Sequence, residues 1–311
     1  MVVYSTAQAA HAVKIAPAFT RFDHSLGVCL LLRRLGASLT EQIAGLLHDV
    51  SHTAFSHVVD FLFDHADQDY HERLFAETLA ASDAATILAR HGYDWRAFLD
   101  EGRFPVLEQP LPRLCADRLD YFLRDAVPLG LASLAEVAWL LDHLAVVDGR
   151  IGVIAASRDE AVAAAVAAAV AAARWLGRTF MAADDASWSD LRELALYQLT
   201  ADALRAGLAT GCIAESDLLG ADRSLWEKLC ACADPAVAAI VARITPQTRF
   251  IVDLIAPDFT LIPKIRAVDP DVWLDGRLQP LSALDREYGA ARTAYLARKD
   301  RPWPMRVAGV G

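Results

Sequence analysis

Six of the nine histidines lie between positions 24 and 71: His24, His48, His52, His57, His65 and His71. Packing alone rarely asks for so many residues that titrate near neutral pH. Asp49 directly follows His48, at or near the C-terminal end of a helix with an apolar stripe. An imidazole and a carboxylate leaving a helix end at adjoining angles can reach one cation. Together they suit a borderline divalent metal such as Mn, Fe, Co or Zn. His24 belongs to the preceding helix, and the short connection makes the two helices antiparallel neighbours. A second carboxylate would complete a site with open positions for water and substrate, and Asp117 is the best candidate. Helical spacing over Cys115–Asp125 puts Asp117, Tyr121, Arg124 and Asp125 along one face. Acid, phenol and guanidinium in a row make a poor core face and a good site wall.

The elements that must position these groups read as helices. Leu26, Leu30, Leu31 and Leu35 carry a helix over 24–35 that stops at Gly36. Ser38-Leu39-Thr40-Glu41 has the form of a capping box, and Leu39, Ile43, Leu46 and Leu47 form the apolar stripe behind it. Further helices are expected over 55–62, 71–79, 83–91, 113–125 and 133–144, with a loop at 102–112 where Gly102, Pro105, Pro110 and Pro112 gather. Asp148-Gly149 between apolar runs predicts a hairpin over 146–155. Helices return at 158–182, 188–207 and 222–243, and short strands are expected at Arg249–Ile255 and Phe259–Lys264. Trp175, Trp188 and Trp226 read as aromatics that pack these helices. The fold class is mainly α, with a small mixed α/β C-terminal part.

Composition narrows the function. Of 311 residues, 55% are hydrophobic and 23% charged, which supports a real core and excludes a disordered chain. The net charge of −10 disfavours nucleic acid and anionic membranes as partners. The longest apolar run, Ala161–Ala173, is too short to span a bilayer. The cysteines, Cys29, Cys115, Cys212, Cys230 and Cys232, are odd in number, and no signal peptide is visible, so a reduced, cytoplasmic protein is expected. Cys230-x-Cys232 lacks the further soft ligands of a zinc site.

Four blocks then carry a resemblance. They are Arg21-Phe-Asp-His24-Ser-Leu-Gly-Val28, His48-Asp49-Val-Ser-His52-Thr-Ala-Phe-Ser-His57-Val-Val-Asp60, Tyr70-His71-Glu72 and Asp117-Arg-Leu-Asp-Tyr121-Phe-Leu-Arg-Asp125. In this order and spacing the chain resembles the HD-domain phosphohydrolase superfamily, and within it the deoxynucleoside-triphosphate triphosphohydrolase-like branch. The resemblance implies an HD-domain helical bundle as the catalytic core over 1–145, a helical extension packed on it over 146–245 and a small mixed segment over 246–311. It implies one divalent metal (Mn, Fe, Co, Ni, Zn or Mg) on His24, His48, Asp49 and Asp117. It places His52, His57, His71 and Asp60 around the scissile phosphate, with His71 or His57 as general acid or base, His52 as a phosphate clamp and Asp60 orienting His71. Arg21, Arg118 and Tyr121 would contact phosphate or sugar, and Asp125 would lie near the sugar. The substrate would be a small phosphorylated molecule such as a nucleotide, and the protein a homo-oligomer. Ser51 and Thr53 stand where the triphosphohydrolase branch usually has glycines, and only 23 residues precede His24, so triphosphate specificity is not implied.

Three other readings compete. His48-Asp49-x-x-His52 resembles a zinc-peptidase helix, but that motif wants glutamate as the base. A di-iron HD oxygenase would use His52 and His71 as added ligands. A non-catalytic nucleotide-sensing HD protein would keep the metal without turnover.

Overall fold

The computed structural model describes residues 2–3, 19–63, 70–155 and 162–310. The ribbon of β1 (Val2–Val3) and β2 (Phe19–Thr20) leads into α1 (Arg21–Arg34). Helix α1 starts three residues earlier than its apolar spacing predicts. Thr20 caps the Asp23 amide at 3.0 Å, and the Asp23 carboxylate accepts from the Thr20 amide at 2.8 Å, a reciprocal box. Ser38 caps α2 (Leu39–Leu47), but Glu41 does not close the expected box. Its buried carboxylate accepts instead from the amides of Val106 and Leu107, at 2.7 and 3.1 Å, and holds the 104–107 loop.

Helix α3 (Val58–Leu62) is shorter than the predicted 55–62 because Phe55 and Ser56 take left-handed φ of 61° and 51°. Then come α4 (Tyr70–Ala81), α5 (Asp83–Arg90), α6 (Ala116–Ala126) and α7 (Leu134–Asp142). The hairpin of β3 (Leu144–Val147) and β4 (Arg150–Val153) turns at Asp148-Gly149, both at positive φ as a tight primed turn needs. Helix α8 (Val162–Ala183) runs into a π turn at Asp184–Trp188, followed by α9 (Leu191–Thr210) and α10 (Glu215–Leu218). The single helix expected over 222–243 is two, α11 (Asp222–Cys230) and α12 (Pro235–Val241). Asp234 caps a new N-terminus with Pro235 inside its first turn.

The C-terminal part holds β5 (Thr248–Val252), β6 (Phe259–Leu261), β7 (Asp271–Leu274), β8 (Arg277–Pro280), α13 (Leu281–Leu284), α14 (Arg286–Lys299) and β9 (Trp303–Val310). Strands β5-β9-β6 form one antiparallel sheet. A second sheet has the order β3-β4-β7-β8, with Val153 beside Val272 in a parallel step, so it crosses the boundary expected at 245/246. Helices dominate the described residues, as expected of a mainly α fold. The larger apolar core joins α1, α6, α7, α8 and α14, and a second one gathers Phe55, Val58 and Val59 with α9, α11 and α12. No described helix is long and apolar enough to cross a membrane.

The cysteine expectation needs correction. Cys212 and Cys232 form a disulfide, with Cα atoms 5.7 Å apart. The left-handed Gly211 ends α9 and turns the chain so that Cys212 meets Cys232, two residues beyond α11. That proximity is tertiary and cannot be read from a spacing of 20 residues.

Candidate metal centre

Helices α1, α2 and α6 bring Asp49 and Asp117 beside the Nε2 atoms of His24 and His48. His24 Nε2 lies 2.9 Å from Asp117 Oδ1 and 3.8 Å from Asp49 Oδ2. His48 Nε2 lies 3.4 Å from both Asp49 Oδ1 and Asp117 Oδ1. One ligand atom each of His24, His48 and Asp49 lies within 4.8 Å of the other two. His48 is the C-terminal cap of α2, so Asp49 leaves the helix end beside it.

The donor set fits a divalent cation. The buried Nε2 of His48 has no hydrogen-bond partner, while its Nδ1 faces the Gly45 carbonyl at 2.9 Å. The carbonyl accepts from Nδ1–H, which leaves Nε2 as the ring atom that faces the carboxylates. Asp120 does the same for His24, with its Oδ2 2.8 Å from Nδ1. Arg124 in turn donates to Asp120 at 2.6 Å and to the Asp23 carbonyl at 2.6 Å, tying α6 to α1. Gly27 makes room for this chain of contacts: a Cβ there would meet Asp120 Oδ1 at 2.0 Å.

Without an ion, protons balance the charge. Burial disfavours a charged His24, but hydrogen bonds to Asp117 and Asp120 and the charge of Asp49 raise its pKa well above the usual value. Burial likewise opposes, and Asp49 and Asp117 outweigh it, at His48, which rises to about 9. Despite their burial, both carboxylates are held below their ordinary range: Asp49 by the charges of His48 and His52, Asp117 by its hydrogen bond to His24 and by the charges of both imidazoles. A dication held there would answer the same two negative charges in place of the imidazole protons.

Beside this cluster, His52 Nε2 lies 3.2 Å from Asp49 Oδ1, and its ring meets that of His57 edge-on at 5.2 Å. Asp60 pairs with His57, Nδ1 to Oδ2 at 3.0 Å. A contact three residues away on the same short turn needs no long-range placement. The side chain of His71 lies outside the described residues. A cavity of about 330 Å³ opens beside His48 and Ser51 and is walled by Glu72, Phe75, Leu99 and Asp100 among others.

Two arginines stand elsewhere than a substrate contact requires. Arg21 is 3% exposed, and its guanidinium donates to the carbonyls of His52 and Thr53 and to Ser56 Oγ. Burial lowers its pKa to about 10, against the opposing charges of Asp49 and Asp222. It therefore shapes the histidine loop from within. Arg118 donates to the carbonyls of Gln109 and Arg113, at 3.0 and 2.8 Å, and pairs with Glu108 at 3.2 Å. It anchors the 108–115 loop. Both follow from the cost of burying a guanidinium without acceptors for its terminal N–H groups.

Tyr121 and Asp125 form a wall farther along α6. The Tyr121 ring packs edge-on against Trp188 at 4.8 Å, and Trp188 Nε1 donates to Asp125 at 2.8 Å. The π turn at the end of α8 is what aims Trp188 there. Neither Trp188 nor Asp120 stands out as a site residue in the sequence. For Asp120 the available signal is its i, i+4 pairing with Arg124.

Burial raises the Asp125 carboxyl to about 6, although the Trp188 hydrogen bond and the charge of His24 oppose it. The folded chain thus keeps a proton that the unfolded chain loses near 3.8. The stabilisation is complete below that value and is lost as pH rises through about 6. Asp125→Asn stays neutral and can still accept from Trp188. It should melt with the parent near about pH 4 and roughly 2–5 °C above it near about pH 7.5, in paired thermal scans.

A family model described as the HD domain matches residues 21–125. The uncharacterized protein YdhJ of Bacillus subtilis (strain 168) is 39% identical over 259 residues, covering 83% of this chain and 75% of its own. The metal-dependent phosphohydrolase cns2 of Cordyceps militaris is 33% identical over 291 residues, covering 91% of this chain and 80% of its own. In fold, a crystal structure of a phosphohydrolase from Bacteroides thetaiotaomicron VPI-5482 superposes with a TM-score of 0.63 at 15% identity, over 98% of this chain and 94% of that one. With a histidine-aspartate pair flanked by a histidine and an aspartate from neighbouring helices, and with relatives matching along most of its length, the chain belongs to the HD-domain phosphohydrolase superfamily.

Proposed function

We propose that this chain hydrolyses a phosphoester or phosphoanhydride bond of a nucleotide or a similar small phosphorylated metabolite, using one divalent metal ion. The observation that carries this reading is the convergence of His24, His48, Asp49 and Asp117 beside a second pair of imidazoles, His52 and His57. A metal ion held by the four ligands would supply Lewis acidity toward a phosphoryl group and toward water.

The remaining work falls to the chain. Phosphoryl transfer spreads negative charge over the equatorial oxygens and leaves an oxygen that needs a proton. His52, held by Asp49 with its ring against His57, is placed to donate a hydrogen bond to a phosphoryl oxygen. His57 is placed to protonate the leaving oxygen, with Asp60 orienting its ring. Tyr121, Trp188 and Asp125 offer an aromatic and hydrogen-bonding wall farther along α6, which suits a sugar or base. The Cordyceps relative, a metal-dependent phosphohydrolase by name, supports metal-dependent hydrolysis of phosphate.

The deciding experiment is phosphate release from a panel of nucleoside mono-, di- and triphosphates and sugar phosphates, with Mn, Co, Ni, Fe or Mg added, alongside elemental analysis. Metal-dependent release from at least one member with one ion per chain is expected. No release from any member, with metal bound, would favour a sensing role, and two irons per chain would favour oxygenation.

A further inference from the structure

The loop that carries His52 and His57 is held from two sides. From inside, Arg21 takes the carbonyls of His52 and Thr53. From outside, the segment between Cys212 and Cys232 takes the amides: the Leu218 carbonyl accepts from Ala54 at 2.7 Å, and Asp222 Oδ1 accepts from Phe55 at 2.9 Å. Phe55 and Ser56 are in the left-handed region, which costs free energy in non-glycine residues unless the surroundings impose it. The two amide contacts fall just before and at the first of these residues.

The outer segment has little helix of its own to rely on. Helices α10 and α11 have four and nine residues, too few to be stable without packing. Lys228 bridges them to each other through Asp217 at 2.6 Å. Leu218, Leu225 and Trp226 share an apolar cluster with Phe55. The Cys212–Cys232 bond closes the segment at its two ends, joining the exit of α9 to the exit of α11. Such a closure restricts the open states of a segment more than its folded state.

We infer that Asp222 is a positioning residue for the histidine loop and that the Cys212–Cys232 disulfide locks the segment carrying it, so that a dithiol reductant loosens the loop and lowers turnover. The redox step is ordinary thiol–disulfide exchange. A thiolate of the reductant attacks one sulfur and breaks the Cys212–Cys232 bond. The second thiol of the reductant then displaces the mixed disulfide. Two electrons and two protons pass to Cys212 and Cys232, which end as thiols, and the reductant ends as a disulfide.

The consequence for turnover rests on the phosphohydrolase reading; the consequence for the loop does not. Two measurements separate them. In amide hydrogen exchange of the full-length protein, treatment with dithiothreitol should raise exchange at residues 54–57 by about tenfold or more, whatever the enzyme does. Cys212→Ser with Cys232→Ser should show that faster exchange at the outset and respond no further. Cys230→Ser, which removes the exposed free thiol, should respond as the parent does.

For turnover, Asp222→Ala should lower kcat about tenfold with KM little changed and metal content intact. Asp222→Asn keeps an oxygen for the Phe55 amide and should recover most of that loss. A merely structural role would give no such rescue. Unchanged exchange at 54–57 after verified reduction would overturn the lock. Equal kcat in Asp222→Ala and the parent, or equal losses in the alanine and asparagine variants, would overturn the positioning role. A response that vanishes in Cys230→Ser would assign the effect to a different thiol and overturn the assignment to Cys212–Cys232.

Discussion

Replacing His48 and Asp49 together by alanine should remove bound metal and turnover in one step, with kcat falling by more than about 10⁴-fold. Two of the four proposed ligands go, including the imidazole whose buried Nε2 has no hydrogen-bond partner. The carboxylate that also holds His52 goes with it. The fold should survive. His24 keeps its bonds to Asp117 and Asp120, and Arg124 still ties α6 to α1. Elemental analysis should give near-zero metal, while the far-ultraviolet circular dichroism stays that of the parent. Full metal occupancy, or turnover within tenfold of the parent, would mean that the reacting centre lies elsewhere. Neither result can be blamed on unfolding if the spectrum is unchanged.

The proposed ligand quartet is legible in the amino-acid sequence because each member carries local information. His48 and Asp49 are adjacent at a helix end, His24 sits one short loop upstream, and Asp117 heads a helix whose polar face is too charged for a core. The arginines are not legible in the same way. Residue type shows that a guanidinium will seek negative charge, but not whether it finds a phosphate or a set of main-chain carbonyls. Arg21 and Arg118 both find carbonyls, and only the packing of loops 52–56 and 108–115 around them decides it. Asp222 is hidden for a related reason, since it serves an amide 167 residues away. Most helices are visible in the apolar period. Sequence and structure part where a cap or a turn overrides that period, as at Thr20, at Phe55-Ser56 and at Asp234-Pro235.

The second large effect should separate the two imidazoles by the leaving group of the substrate. His57 is one-third exposed and its partner Asp60 is only 3% exposed, so the ring is oriented from behind while one edge remains within reach of a ligand. If His57 protonates the leaving oxygen, His57→Gln should cost about 10²–10⁴ in kcat on an alkyl or sugar phosphoester, with metal content unchanged. A p-nitrophenyl ester leaves as a stable phenolate and hardly needs that proton, so the same variant should lose far less on it. Asp60→Asn can still accept from Nδ1 but carries no charge to support the imidazolium. It should fall between the parent and His57→Gln and show the same dependence on leaving group. His52→Gln should behave differently. A hydrogen bond to a phosphoryl oxygen is needed whichever group departs, so its loss should be similar for both esters. Equal losses for His57→Gln on the two substrates would remove the proton-donor role and leave His57 as a second phosphate contact.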